Sequence, residues 1–117
     1  MSYPSNQLYG PQVKECDELH ATKYRLPNES FEESVSRNAA AMSDGEAHRQ
    51  KIKSIFKEQR FMPAGRVQSA MGSPRDVTAY NCFVSGTVKD SMESIMQMAT
   101  QAAETMRRGG GIGYDFS

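Results

Sequence analysis

The chain has 117 residues, 38% of them hydrophobic and 24% charged, which is one domain's worth at most and ordinary for a soluble protein. Fourteen Lys and Arg balance fourteen Asp and Glu, so no electrostatic reason exists to expect a nucleic-acid or membrane partner. No apolar run approaches the ~18 residues of a membrane span, and the start, Met1-Ser2-Tyr3-Pro4, lacks the basic and apolar regions of a secretory signal. The two cysteines, Cys16 and Cys82, sit in very different settings and suggest no disulfide framework. The expected setting is a reducing cytoplasm, in which Cys82 can be a working thiol. A mean hydropathy of −0.66 is polar for a core of this size, so a partner is expected to complete it.

Residues 1–20 mix Pro, Gly, Gln, Asn and charge with no apolar period, which predicts a tail or irregular arm. His20 and His48 are expected to be exposed. A helical region is expected over 21–60. Ser30 with Glu33 three residues on fits a capping box, and Phe31, Val35, Ala39 and Met42 follow at helical spacing until Ser43-Asp44-Gly45 breaks the helix. A second helix is predicted from about Glu46 to Gln59, with Ala47, Ile52, Ile55 and Phe56 on its buried side. Pro63 cannot continue it.

Residues 61–79 carry Pro63, Gly65, Gly72 and Pro74 and read as extended and loop-like. Tyr80 to Ser85 are rich in aromatic and β-branched residues and predict a strand with Cys82 at its centre. Asp90 and Ser91 then precede the strongest helical pattern. Met92, Ile95, Met96, Ala99, Ala102, Ala103 and Met106 share one face, either an ordinary core face or a close-packing contact with another helix. Asp90 with Glu93 fits a second capping box. Arg107 and Arg108 suit the last turn, and Gly109 the left-handed cap.

Gly109-Gly110-Gly111-Ile112-Gly113 contains the G-x-G spacing of dinucleotide-binding loops. That fingerprint follows a strand and opens a helix, whereas these glycines follow a helix, so the reading is rejected. Three successive glycines exceed what a cap requires and allow close backbone approach to a ligand.

Three segments in fixed order carry a family resemblance: Arg60-Phe61-Met62-Pro63-Ala64-Gly65-Arg66; Asn81-Cys82-Phe83-Val84 followed by Asp90-Ser91-Met92; and Gly109 through Ser117. Together they closely resemble the start of the catalytic barrel of the ribonucleotide reductase large subunit. Lys23-Tyr24-Arg25-Leu26 and the helices to Gln59 resemble that family's N-terminal helical region. The implied fold is α/β: an N-terminal helical region plus the first strand or strands of a ten-stranded α/β barrel, incomplete in this chain and mainly helical by content. The barrel is expected to start within 61–117, with Tyr114-Asp115-Phe116-Ser117 opening its next strand.

The implied reaction replaces the ribose 2′-hydroxyl by hydrogen through thiyl-radical chemistry. Cys82 matches the first member of the reducing cysteine pair; Cys16 matches no family cysteine. Met62, Pro63 and Ala64, Asn81, and Gly110 and Gly111 match substrate-contacting positions, with backbone contacts the safer expectation at 62–64, where many relatives carry a hydroxyl residue. Asp90, Ser91 and Met92 match the start of a helix that binds a deoxynucleotide effector, and Arg107 sits where a basic residue of some relatives reaches toward it. The resemblance also implies a homodimer through the 91–108 helix, a thioredoxin or glutaredoxin-type reductant, and a radical source. In wording the segments are closest to the adenosylcobalamin-dependent branch, the alternative being a diiron or related small subunit. No metal ligand is named within this chain. The end at Phe116-Ser117 falls inside a motif, which raises the expectation of a split or truncated subunit, inactive without its C-terminal remainder. The competing readings are a non-catalytic helical nucleotide-binding or dimerisation module and a stand-alone thiol redox protein, the latter disfavoured by the lack of Cys-x-x-Cys.

Overall fold

The first helix arises where the sequence shows no apolar period. The structure, a computed structural model, describes residues 10–117, and α1 spans Lys14–Tyr24 with no buried residue and no side-chain cap at Val13. The expected irregular arm is thus corrected over 14–20, while residues 1–9 lie outside the described part. Polar and aromatic side chains fix this helix. The Arg25 guanidinium pairs with Asp17 and donates from Nε to His20 Nδ1 at 3.0 Å, and lies 5.8 Å from the centre of the Phe31 ring. The His20 ring in turn packs 5.4 Å from both Tyr24 and Phe31. His20 is therefore half-buried, not exposed as expected, whereas His48 is exposed and pairs with Asp44 at 2.7 Å.

Helix α2, Phe31–Met42, begins as its sequence dictates: the Ser30 hydroxyl accepts from the Glu33 N–H at 3.2 Å while the Glu33 carboxylate accepts from the Ser30 N–H at 2.7 Å. Helix α3, Glu46–Lys57, packs on α2. Val35, Ala39 and Phe56 form the apolar centre of this part, with Ile52 and Ile55 half-buried beside it. Ala47, expected on the buried side, is exposed in the first turn. The stretch expected to be extended contains a short helix, α4, Gly65–Ala70, packed on α1. Gly65 permits this packing, since a Cβ there would stand 2.3 Å from the Tyr24 ring.

One guanidinium ties these helices together. Arg37 Nε and Nη2 grip the Glu29 carboxylate at 2.8 and 3.0 Å; Nη2 also donates to the Tyr24 carbonyl, and Nη1 to the carbonyls of Gln68 and Met71. All five N–H donors of the side chain are used, reaching the end of α1, the 25–30 turn and the end of α4. Both ion-pair side chains are only 10% exposed. Burial alone would raise the Glu29 pKa, but the Arg37 hydrogen bonds and the Leu26 N–H hold it below the ordinary carboxylate value.

The chain divides into two compact units, the first ending at Pro74 and the second running from Arg75 to Ser117. In the second, strand β1 (Cys82–Val84) leads through α5 (Met92–Arg107) to strand β2 (Gly111–Gly113), which pairs with β1 in parallel, Cys82 opposite Gly111, Phe83 opposite Ile112 and Val84 opposite Gly113. Among the described residues the content is mainly helical with two short parallel strands; the expected barrel itself is not shown. The second strand comes earlier than expected, inside the glycine run and not at Tyr114–Ser117.

Ser91, not Asp90, caps α5, accepting from the Ser94 N–H at 3.3 Å. At the other end Gly109 has φ 85°, the Gly110 N–H reaches the Thr105 carbonyl and the Gly109 N–H that of Met106, which together make a Schellman ending. Within this unit α5 buries Met98 and Ala102, whereas Met92, Ile95, Met96, Ala99, Ala103 and Met106 are exposed. The helix is turned roughly a quarter-turn from the face expected of the apolar pattern, because its apolar surface is wider than two three-residue strands can cover.

Arg37→Met, which keeps much of the stem but strands the Glu29 carboxylate, is expected to cost roughly 2–4 kcal/mol, read by urea unfolding of the helical circular dichroism signal. Because the folded-state pKa of Glu29 is depressed, its contribution is complete above the unfolded value of 4.5 and is lost as pH falls through the lower folded value. The stability of Arg37→Met should therefore depend less on pH than wild type across the acid range below that value.

Candidate functional site

Strand alternation separates two faces of the short sheet. Phe83 and Ile112 are half-buried, while Cys82, Val84, Gly111 and Gly113 lie on the exposed face. Asn81 opens the ladder through its backbone, its carbonyl accepting from the Gly111 N–H at 2.7 Å. The Cys82 thiol is exposed and unbridged. It lies 3.8 Å from where a Gly111 Cβ would stand, so thiol and glycine backbone share one open face.

The three glycines of the run have separate causes. Gly109 supplies the left-handed cap. Gly110 is buried, and a Cβ there would fall 2.5 Å from the Phe83 ring and 3.0 Å from Thr105 Cγ2; packing alone excludes a side chain. Gly113 has nothing within 4 Å of its Cβ position and Gly111 only ordinary contacts, so these two present bare backbone to whatever meets the sheet.

The structure brings Asn81, Cys82, Gly110 and Gly111 together. It keeps the expected effector residues apart: Asp90, Ser91 and Met92 stand at the start of α5, and Arg107 about 24 Å away at its end. Arg107 pairs with Glu104 at 2.9 Å and Asp76 at 3.6 Å. The Glu104 bond raises the Arg107 pKa, and reciprocally holds the Glu104 carboxyl below its usual range. Met62, Pro63 and Ala64 belong to the other unit, with Pro63 anchored through its carbonyl, which accepts from Gln68 Nε2 at 2.7 Å.

Sequence reasoning missed a cleft of about 490 Å³ at the carboxyl ends of the two strands, formed by Phe83 and Val84 of β1 with residues 85–88 after it, and by Gly113 of β2 with Tyr114, Asp115 and Ser117 after it. The signal that could have found it is topological, since open parallel sheets and barrels place ligands beyond the carboxyl ends of their strands. At its edge the Ser117 N–H donates to Asp115 at 2.9 Å and holds that carboxyl below the usual range.

The segment that carries this strand, crossover helix and parallel strand matches a family model. Residues 80–117 match the ribonucleotide reductase barrel domain. The matched stretch holds β1, α5 and β2 entire, and supports reading the chain as a fragment of a ribonucleotide reductase large subunit. The helices of the first unit and Arg60–Arg66 lie outside the matched residues. No curated protein matches the chain, and no solved structure does. Among the described residues no group of three His, Cys, Asp or Glu is placed to hold a metal ion, and no helix is long and apolar enough to cross a membrane.

Gly110→Ala and Gly113→Ala separate packing from openness. The first is expected to lower hydrogen-exchange protection at the Gly110 and Gly111 amides by about tenfold or more, as overpacking costs roughly 1–3 kcal/mol; the second should leave protection within about twofold of wild type.

Proposed function

We propose that this chain supplies the entry to the catalytic barrel of a ribonucleotide reductase and acts only when further polypeptide of the same subunit completes that barrel. The pairing of Cys82 with Gly111 on one exposed face carries the reading, because it sets an oxidisable thiol beside backbone that a nucleotide sugar can approach closely. Cys82 is the redox thiol. With a second cysteine outside this chain it gives up two electrons and two protons: the ribose 2′-hydroxyl leaves as water, hydrogen takes its place, and the two sulfurs close a disulfide. A thioredoxin or glutaredoxin-type dithiol restores the pair, as a reducing cytoplasm requires.

Asn81 acts through its backbone, which holds the start of β2, and Gly110 by letting Phe83 pack beneath the site. Gly111 presents the contact itself, and Met62, Pro63 and Ala64 contribute a second loop to the ribonucleotide. Asp90, Ser91 and Met92 form the deoxynucleotide effector site, where the exposed helix start offers a carboxylate for a deoxyribose hydroxyl and N–H groups for anionic oxygens. Arg107, far along α5, neutralises Glu104 and Asp76 in this chain. The exposed Met and Ala side of α5 suits a second copy of the subunit.

Adenosylcobalamin remains the proposed radical source, with a diiron or related small subunit as the alternative. Neither group finds a fitting set of ligands among the described residues, where the half-buried histidine is held by Arg25 and Gln68 and the exposed one by Asp44. The chemistry assigned to this chain is therefore confined to its thiol, its backbone and its loops.

Mixing the chain with the remaining polypeptide should restore reduction of a ribonucleotide. Cys82→Ser in the reassembled protein is expected to lower dithiol-driven turnover by at least about 10⁴-fold, the scale of loss when one member of a covalent catalytic unit is removed, with association unchanged. Association without any turnover by wild type would favour a non-catalytic nucleotide-binding or dimerisation module, and undiminished turnover by Cys82→Ser would refute the role of the thiol.

A further inference from the structure

His20 lies in the middle of a hydrogen-bonded line that crosses the first unit. Asp17 pairs with the Arg25 guanidinium, whose Nε donates to His20 Nδ1 at 3.0 Å. His20 Nε2 meets Gln68 Oε1 at 2.8 Å, and Gln68 Nε2 donates to the Pro63 carbonyl at 2.7 Å. Each bond fixes the direction of the next. Arg25 can only donate, so Nδ1 must accept; the single ring proton of neutral His20 is then on Nε2 and donates to Gln68 Oε1. That bond turns the Gln68 amide so that its NH2 points at Pro63.

Protonation breaks the pattern at one place. A proton on Nδ1 would set an N–H against the Arg25 N–H, cation facing cation, inside a half-buried cage. Arg25 is 8% exposed and cannot simply turn to water. The groups that face His20 are Asp17 and Tyr24 from α1, Arg25 and Glu29 from the turn, Phe31 from α2 and Gln68 from α4. Asp17 and Glu29 favour the charged ring, but each is already committed to a guanidinium, Arg25 and Arg37 respectively.

We propose that neutral His20 is a positioning residue for the Met62–Ala64 loop, acting through Gln68, and that protonation on Nδ1, by setting its N–H against that of the buried Arg25, drives the ring from its place against Gln68 and so releases that loop. The enzymatic consequence rests on the reading that Met62, Pro63 and Ala64 touch the ribonucleotide. Burial, followed by the neighbouring Arg25 charge, agrees in direction, lowering the His20 pKa below its ordinary 6.5 against the opposing Gln68 bond. With the folded value depressed, the order this line gives the loop is complete above 6.5 and is lost as pH falls through the lower folded value.

The test has two readouts. In the isotopically labelled full chain, nitrogen-detected NMR should show neutral His20 protonated on Nε2, and the Gln68 side-chain amide and the Ala64 backbone amide should shift with the same midpoint as His20. An Ala64 signal indifferent to His20, or a ring protonated on Nδ1, overturns the proposal whatever the chain's function. In the reassembled reductase, KM for ribonucleotide should rise about fivefold on acidification, one net hydrogen bond's worth, with kcat changing less. His20→Gln, which can still accept from Arg25 and donate to Gln68 but cannot titrate, should flatten that profile, and Gln68→Leu should raise KM at every pH. A KM profile unchanged by His20→Gln counts against the proposal. Coupled NMR shifts in a chain that never yields nucleotide reduction with its remainder would support the His20 coupling while overturning the reductase reading.

Discussion

Two parallel strands cannot be joined by a tight turn; the chain must leave one end of the sheet and return to the other. That constraint organises the second unit. Helix α5 makes the return, its Schellman ending reverses the backbone within three glycines, and the first residue able to enter the second strand is Gly111. Because the strands run in register, the residue opposite Gly111 is Cys82. The neighbourhood of thiol and bare backbone is thus a product of crossover length and capping geometry, fixed before any ligand is considered.

The first unit is organised differently. Its apolar centre is small, limited to Val35, Ala39 and Phe56 with flanking isoleucines, and the connections between its ends are polar. Arg37 gathers two carbonyls from α4 and its cap, one from α1 and the Glu29 carboxylate, while Asn38 adds a bond to the same Gln68 carbonyl at 3.1 Å. Such an arrangement gains modest net stability, since the desolvation of each partner offsets much of the attraction, but it tolerates few alternatives in geometry. A loop anchored through Gln68 inherits that definition.

How much of this was legible in the sequence depended on whether the signal was local. The Ser30–Glu33 box, the stop at Ser43–Gly45 and the cap at Gly109 rest on contacts within a few residues, and the strand at Cys82, though its partner is distant, was marked by a local run of aromatic and β-branched residues; each was readable. Helix α1 was not, because its anchors are Asp17, His20 and Arg25, polar residues without apolar spacing whose partners lie in other elements. Helix α4 was hidden behind Pro63 and Gly65, residues that usually mark loops but here serve its approach and its packing on Tyr24. The turn of α5 was misjudged for another reason: periodicity reveals that a helix has a broad apolar surface, not which part of it the same chain covers. Of the candidate site, the cluster around Cys82 was readable through motif resemblance, while the cleft beyond the strand ends required the topology.

The width of that apolar surface has a consequence for handling the protein. Val84 is fully exposed at 100%, and Phe116, Tyr80, Met92 and Met96 are each more than half exposed, beside strands whose outer hydrogen-bonding edges stay unpaired among the described residues. Surfaces of this kind attract one another and recruit extra strands. Produced by itself at high concentration, the polypeptide should be prone to self-association.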